Sequence, residues 1–174
     1  MIKFENITAT YTDKVGIFNL SFHIPQGELV FLMGPTGAGK STVLKTIYRD
    51  IPIADGVLYI NGEDVSKIRR RHIPRFRRKI GMVFQDYRLI PDRTVFENIA
   101  LPLQIEGISK KNIKDKVREI MEKVGLDHRV NNYPAQLSGG EKQRVSIARA
   151  LVKNPLVILA DEPTGNLDPN VSDE

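Results

Sequence analysis

The sequence contains no cysteine and no tryptophan, and its apolar runs are short. Without cysteine there is neither a disulfide nor a thiolate metal site, so a cytoplasmic location is the default expectation. The longest apolar runs, residues 29–33 and 156–160, are far shorter than the roughly 20 residues that span a bilayer. Polar residues at positions 3, 5 and 6 interrupt the start, so no signal peptide is predicted.

The positive charge is concentrated in one segment. The net charge is +5, yet residues 67–79 contain eight basic residues and no acidic one. Without these eight, 18 basic residues stand against 21 acidic residues, so the rest of the chain is slightly acidic. The segment is interpreted either as a solvated face or as a contact with an anionic surface, and the chain as a whole does not resemble a nucleic-acid coat.

Apolar patterning predicts several strands. Phe18, Leu20, Phe22 and Ile24 alternate with polar residues, which predicts a strand with one buried face. Residues 29–33 and 156–160 are apolar at every position, as strands covered on both faces would be. Two further strands are predicted, at residues 57–60 before the turn Asn61-Gly62 and at residues 80–84.

Helix signals occupy the positions between these strands. A helix is predicted from Lys40 to Tyr48, and capping boxes at Thr94 and Ser138 open two more, the second reaching about residue 152. Residues 113–124 have apolar positions at helical spacing and precede Gly125, a typical helix end. The sequence therefore predicts an α/β fold in one domain, with a strand-rich front, a helical middle and a returning core strand.

A glycine-rich loop separates a predicted buried strand from a predicted helix. It consists of Gly34, Pro35, Thr36, Gly37, Ala38, Gly39, Lys40 and Ser41. The glycines let backbone N–H groups surround phosphate oxygens, and the following helix points its positive end at the same anions. Lys40 is predicted to reach the β- and γ-phosphates of ATP, and Ser41 to bind Mg²⁺. The alternative is an ordinary glycine turn.

Acidic and amide side chains follow two predicted strands. Asp161 and Glu162 end the strand at residues 156–160, where Asp161 is predicted to hold Mg²⁺ and Glu162 to polarise the attacking water. Gln85 follows the strand at residues 80–84, where its amide could contact Mg²⁺ and the water. The alternative is a pair of solvated strand ends.

A second anion site is predicted at residues 137–141, Leu-Ser-Gly-Gly-Glu. One function of this segment is to cap the helix that follows. The two glycines also expose backbone N–H donors at the positive end of that helix. The chain then offers two phosphate-binding surfaces.

The whole chain resembles the ABC ATPase nucleotide-binding domain. The resemblance is carried by the glycine-rich loop, Gln85, residues 137–141, Asp161-Glu162 and the segment Gly165-Asn166-Leu167-Asp168, which follow one another in this order. The resemblance implies a P-loop NTPase (ABC-type) core with an antiparallel β subdomain and a helical subdomain at about residues 86–152. It implies a homodimer, head to tail with ATP, in which one subunit's signature faces the nucleotide of the other. The resemblance implies that ATP is bound by Tyr11, by the loop and by Thr42, that Glu162 and Gln85 are catalytic, and that Mg²⁺ is bound by Ser41, Gln85 and Asp161. It also implies that the signature that acts in trans on the other subunit's nucleotide consists of Ser138, Gly139, Gly140 and Glu141. The D-loop of the family would be formed by Leu167 and Asp168. Tyr11 would stack on adenine, or would be merely an aromatic residue on an edge strand.

Three further stretches narrow the resemblance to the cell-division branch of this family. They are residues 48–50, 77–81 and 84–95. Members of this branch work with an integral membrane partner at the cytoplasmic face of the inner membrane, as peripheral proteins, and regulate peptidoglycan hydrolysis. Lipoprotein-release and macrolide-export ATPases and methionine importers share much of the third stretch and remain the alternative.

Nucleic-acid-associated members of the family fit less well. The DNA-associated type separates its motif halves by a long coiled coil, whereas Lys40 and Ser138 are only about a hundred residues apart, without sustained heptads. The ribosome-associated type carries two cassettes, and one is present here. No specific nucleic-acid partner is therefore expected.

The resemblance also implies a histidine beyond the D-loop. The three histidines here, His23, His72 and His128, all precede Asp161, and the sequence stops at Glu174. We therefore expect an N-terminal piece that lacks the last core strands, binds ATP, and hydrolyses it slowly.

Overall fold

The computed structural model of the chain describes residues 1–12 and 15–162. These described residues form two compact units, which divide between Arg77 and Arg78. None of the helices within the described ranges is long and apolar enough to cross a membrane.

The first unit is built on an antiparallel sheet with strand order β2-β1-β3-β4. Its strands are β1 (Ile2–Thr12), β2 (Val15–Ile24), β3 (Asp55–Ile60) and β4 (Glu63–Asp64), and its helices are α1 (Lys40–Ile47) and α2 (Ile73–Arg77) after a 3₁₀ turn at Arg70–His72. Phe4, Ile7 and Leu58 are fully buried in its core. The predicted hairpin is confirmed, since Asn61 and Gly62 both have the positive φ of a tight primed turn.

The predicted strand at residues 18–24 is confirmed, but the prediction of which side chains it buries is partly wrong. Ile17 is buried, whereas Phe18 is 54% exposed. The pairing of β1 with β2 shifts between Ile7↔Leu20 and Ala9↔Ile17, where Asn19 has a φ of 47°. The extra residue of this bulge reverses the alternation of faces.

The prediction of a buried strand at residues 29–33 is wrong in this structure. The segment belongs to neither sheet, and its side chains are solvent-exposed, reaching 82% at Leu29 and 90% at Met33. A strand exists only where a neighbour satisfies its backbone N–H and C=O groups. The described part of the first unit gives this segment no such neighbour.

The second unit combines a short parallel sheet with a helical cluster. Its elements are β5 (Ile80–Val83), α3 (Val95–Ile105), α4 (Lys110–Lys123), α5 (Gly139–Leu151) and β6 (Val157–Ala160), with 3₁₀ turns at Asp127–Arg129 and Pro134–Gln136. The predicted caps are confirmed at the start of α3, at the end of α4 and at the start of α5. Thr94 and Ser138 form complete capping boxes with Glu97 and Glu141, and Gly125 has a φ of 65° after α4.

β6 is covered on one face only, which corrects the prediction of two buried faces. Val157 and Leu159 are buried, whereas Ile158 between them is 52% exposed. Within the described part of the unit, β6 pairs with β5 alone, and α5 packs against β5. This arrangement supplies one layer of cover, so the second face of the strand remains open.

Gly81 lies where α5 packs most tightly on β5. A Cβ atom at this position would lie 2.9 Å from the carbonyl oxygen of Ala150 and 3.0 Å from Cγ of Pro155. We expect Gly81→Ala to lower the free energy of unfolding by about 1–3 kcal/mol, since backbone would have to move. Urea unfolding of the two proteins measures this cost, and a loss below about 0.5 kcal/mol would show that the helix shifts freely.

Candidate functional site

The predicted phosphate-binding loop lies directly before α1. Its glycines Gly34, Gly37 and Gly39 all have positive φ, of 152°, 85° and 92°. At Gly39 a Cβ atom would also lie only 3.1 Å from Cγ2 of Ile17 on β2. The loop conformation therefore depends on glycine at the point where it enters the helix.

Lys40 folds back across this loop. Its Nζ donates to the carbonyl oxygens of Gly34, at 2.8 Å, and Pro35, at 3.0 Å. An ammonium group has three donors, so it can bridge the loop to a phosphate oxygen. The structure thus places the Lys40 ammonium group against the backbone of the loop that the sequence predicts as the phosphate site.

The N-terminus of α1 is suited to an anion. Gly39 is the N-cap and provides no side-chain cap, and the first turn contains no acidic residue. The first N–H groups of a helix have no intrahelical partner and carry its positive dipole end. Ser41 lies in this first turn, and Thr42 beside it is buried.

Tyr11 lies near the same helix. The residue is 51% exposed, and Nζ of Lys45 on α1 lies 5.6 Å from its ring centroid. β1 lies between β2 and β3, but its pairing with β3 ends at Thr8, so near Tyr11 it pairs with β2 alone. An exposed ring at this position is available for stacking on a planar ligand.

Gln85 and Glu162 meet at the carboxyl edge of the parallel sheet in the second unit. Val83 pairs with Ala160 at the ends of β5 and β6, and the backbone N–H of Asp161 donates to the carbonyl of Val83 at 3.1 Å. Beyond these ends, Nε2 of Gln85 donates to Oε2 of Glu162 at 3.0 Å. The structure therefore brings together the amide of Gln85 and the carboxylate of Glu162, with Asp161 next to Glu162 in the chain.

The donor set in this region suits a hard divalent cation. Carboxylate and amide oxygens are preferred ligands of Mg²⁺. Because Nε2 of Gln85 donates to Glu162, the amide oxygen Oε1 is the group of Gln85 that would bind a cation. No group of three or more His, Cys, Asp or Glu residues within residues 1–12 and 15–162 forms a metal site by itself.

The predicted signature segment opens α5 with a closed hydrogen-bond ring. Oγ of Ser138 accepts from the backbone N–H of Glu141 at 3.2 Å, and Oε2 of Glu141 accepts from the backbone N–H of Ser138 at 2.8 Å. The second of these bonds is the main cause that lowers the pKa of Glu141, which stays ionised at neutral pH. Gly139 and Gly140 form the first turn between them.

Arg129 supports this ring, a role that the sequence analysis did not predict. Its Nε donates to Oε1 of Glu141 at 2.7 Å, so both carboxylate oxygens of Glu141 have donors. Arg129 ends a 3₁₀ turn, twelve positions before Glu141, and no local pattern links the two residues. The predicted D-loop residues Leu167 and Asp168 lie outside the described residues.

Comparison with known proteins agrees with this geometry. The family model described as ABC transporter matches residues 17–165. The chain belongs to the ABC transporter family.

Its relatives narrow the likeness to one branch. The chain is 49% identical over 173 residues to "Cell division ATP-binding protein FtsE" of Bacillus subtilis, an alignment that covers 99% of this chain and 76% of that protein. It is 47% identical over 174 residues to the protein of the same name from Escherichia coli K12, covering 99% and 78%. The predicted resemblance to the cell-division branch is confirmed, and the transporter alternatives are not favoured.

A solved structure shares the fold. The ATP-binding cassette MJ0796, solved as a dimer in a post-hydrolysis state bound to ADP and Pi, has a TM-score of 0.88 and is 38% identical. The alignment covers 98% of this chain and 77% of that one. The predicted P-loop NTPase fold of the ABC type is confirmed.

Proposed function

We propose that this chain is the ATP-binding and ATP-hydrolysing subunit of a membrane ABC complex of the FtsE type. Its integral membrane partner would be FtsX-like, and the pair would regulate peptidoglycan hydrolysis during cell division. The observation that carries the ATPase role is the hydrogen bond between Gln85 and Glu162 at the end of two parallel strands. The P-loop with Lys40 laid across it supports nucleotide binding.

The binding residues act on the phosphates and the base of the nucleotide. The backbone N–H groups of the loop, which all its residues except Pro35 provide, and the positive end of α1 would stabilise the phosphate oxygens, and Lys40 would add a full positive charge. Thr42 follows in the same helix turn. Tyr11 is proposed to stack on the adenine ring.

The hydrolytic step is proposed to depend on Glu162. Its carboxylate accepts the hydrogen bond from Gln85, which fixes the direction of the carboxylate and prepares it to orient a water molecule and take its proton. Mg²⁺, when bound, neutralises charge that develops on the phosphates. Ser41, Gln85 and Asp161 are the residues proposed to hold it, and each would supply an oxygen ligand.

The signature is proposed to act on a second copy of the chain. Ser138, Gly139 and Gly140 present a hydroxyl and backbone N–H groups at the positive end of α5, and Glu141 with Arg129 holds that end rigid. In a head-to-tail homodimer these donors would contact the γ-phosphate held by Lys40 of the other copy. The dimeric state of MJ0796 supports this proposal.

The membrane partner is proposed to dock on the loop between β5 and α3, which keeps this chain peripheral at the cytoplasmic face of the inner membrane. Arg88 is exposed there, with its guanidinium 4.1 Å above the ring centroid of Phe84. Asn98 is fully buried and holds the rest of the loop through the carbonyls of Ile90, Arg93 and Thr94. The loop therefore presents a defined surface directly beyond Gln85.

The proposed partners are the membrane subunit and a second copy of the chain, and we propose no specific nucleic-acid partner.

Charge reversal in this loop tests the partner assignment. We expect Arg88→Glu to reduce co-purification with the membrane partner at least about tenfold, since rim charges govern association. Arg118→Glu, an equal charge change on an exposed arginine of α4, should leave the complex intact. Nucleotide affinity should be equal in all three proteins. A complex that survives Arg88→Glu unchanged would place the docking surface elsewhere.

We propose that a polypeptide of these 174 residues hydrolyses ATP slowly. The segment at residues 29–33, which leads directly into the phosphate-binding loop, is unpaired and exposed, so it holds that loop poorly. Phosphate release by this polypeptide, compared with the protein as its gene encodes it, tests this; equal rates would overturn it.

A further inference from the structure

Two consecutive residues after Gln85 have a backbone conformation that favours glycine. Tyr87 has a φ of 58° and Arg88 a φ of 47°. Side chains with a Cβ disfavour this region, and such residues persist only where the surrounding structure holds them. The loop that carries Gln85 therefore needs an external restraint.

The restraint comes from α5. Nη2 of Arg149 donates to the carbonyl oxygen of Tyr87, and Nη1 of the same guanidinium donates to the carbonyl oxygen of Arg88, both at 2.6 Å. Oγ of Ser146, one turn earlier on the helix, donates to the Tyr87 carbonyl at 3.3 Å. The two bonds of Arg149 start from two different nitrogens, Nη1 and Nη2, of the rigid planar fork of one guanidinium, and the single nitrogen of a shorter lysine side chain does not reproduce that spacing.

We propose that Arg149 is a positioning residue for Gln85. By holding the carbonyls of Tyr87 and Arg88, it keeps the loop in its left-handed conformation, and this directs Nε2 of Gln85 to Glu162. Without the fork, the loop relaxes toward ordinary φ values and the amide leaves the carboxylate. The inference rests on the proposed ATPase function, because Gln85 and Glu162 are the groups through which Arg149 acts.

The contact also joins two proposed functional elements. α5 begins at the signature residue Ser138 and carries Arg149 in its last turn. The loop that bears Gln85 is thus attached to the same helix that presents the signature to a second copy. A displacement of α5 along its axis would move both elements together.

A double-mutant cycle tests the proposal in the protein as its gene encodes it. Arg149→Lys keeps the charge and loses the fork, and we expect it to lower kcat about tenfold while the affinity for ATP stays within about twofold. In a Gln85→Ala background the same change should lower kcat less than about twofold, because the group it positions is gone. Arg118→Lys on α4 is the matched control and should have no effect.

Magnesium dependence gives a second readout. We expect Arg149→Lys to raise the Mg²⁺ concentration for half-maximal ATPase activity at least about threefold, since a displaced Gln85 is a poorer ligand. Equal losses of kcat from Arg149→Lys in both backgrounds, or an unchanged magnesium requirement, would overturn the proposal. Absence of ATPase activity in the unsubstituted protein would instead overturn the proposed function.

Discussion

Glu162→Gln is expected to abolish steady-state ATP hydrolysis while ATP binding is kept. Glutamine has nearly the shape of glutamate and can still form a hydrogen bond with Gln85, but it cannot take a proton from water. Removal of a general base typically costs about 10²–10⁴-fold in rate. The Glu162–Gln85 pair lies at the exposed carboxyl edge of β5 and β6, so the substitution should not disturb the core of the unit.

The measurement is phosphate release at saturating Mg²⁺ and ATP, with ATP affinity determined separately. Glu122→Gln, the same change at an exposed position of α4, serves as the control and should behave as the unsubstituted protein. We also expect Glu162→Gln to accumulate as an ATP-bound dimer, because the step that would dissolve it is blocked. A Glu162→Gln protein that retains more than about a tenth of the rate would assign the base to another residue.

Lys40→Ala is expected to weaken ATP binding by about 10–100-fold or more. Nζ of Lys40 is held at 2.8 Å and 3.0 Å from two loop carbonyls, so the ammonium group already lies against the backbone of the predicted phosphate-binding loop. A hydrogen bond from a charged group to phosphate contributes about 1.5–3 kcal/mol, and Lys40 forms it with the most highly charged part of the nucleotide.

Titration calorimetry with Mg²⁺-ATP measures this loss. Lys111→Ala, which removes an exposed lysine of α4, tests whether a change of net charge alone has an effect. The thermal stability of Lys40→Ala should stay close to that of the unsubstituted protein, because the Lys40 side chain is not part of the core. Unchanged ATP affinity in Lys40→Ala would contradict the assignment of the loop.

Features set by neighbouring residues were predictable from the sequence. The capping boxes at Thr94 and Ser138, the turn at Asn61-Gly62 and the helix after Lys40 all appear as expected. Each depends on a side chain that reaches its own backbone within four residues, or on the φ of one or two adjacent residues. Such interactions form wherever their residues occur in order.

Features set by distant partners were not predictable. The bulge near Asn19 exposes Phe18 and buries Ile17, because it depends on how β2 registers on β1. The apolar run at residues 29–33 predicts a strand, yet a strand requires a neighbour that the run does not encode. Within the site, the contacts of Arg129 and Arg149 join residues 12 and 61 or more positions apart, and an isolated arginine in the sequence does not indicate its acceptor.

The most direct test of the account is a single-turnover experiment that follows both bound nucleotide and its conversion to ADP. With Mg²⁺-ATP, the unsubstituted protein should bind the nucleotide and convert it. Glu162→Gln should bind it and retain it as ATP, and Lys40→Ala should do neither at the same concentration. Conversion of ATP by Glu162→Gln at the rate of the unsubstituted protein would contradict the role of Glu162 as general base, and binding by Lys40→Ala with equal affinity would contradict the role of Lys40 in nucleotide binding.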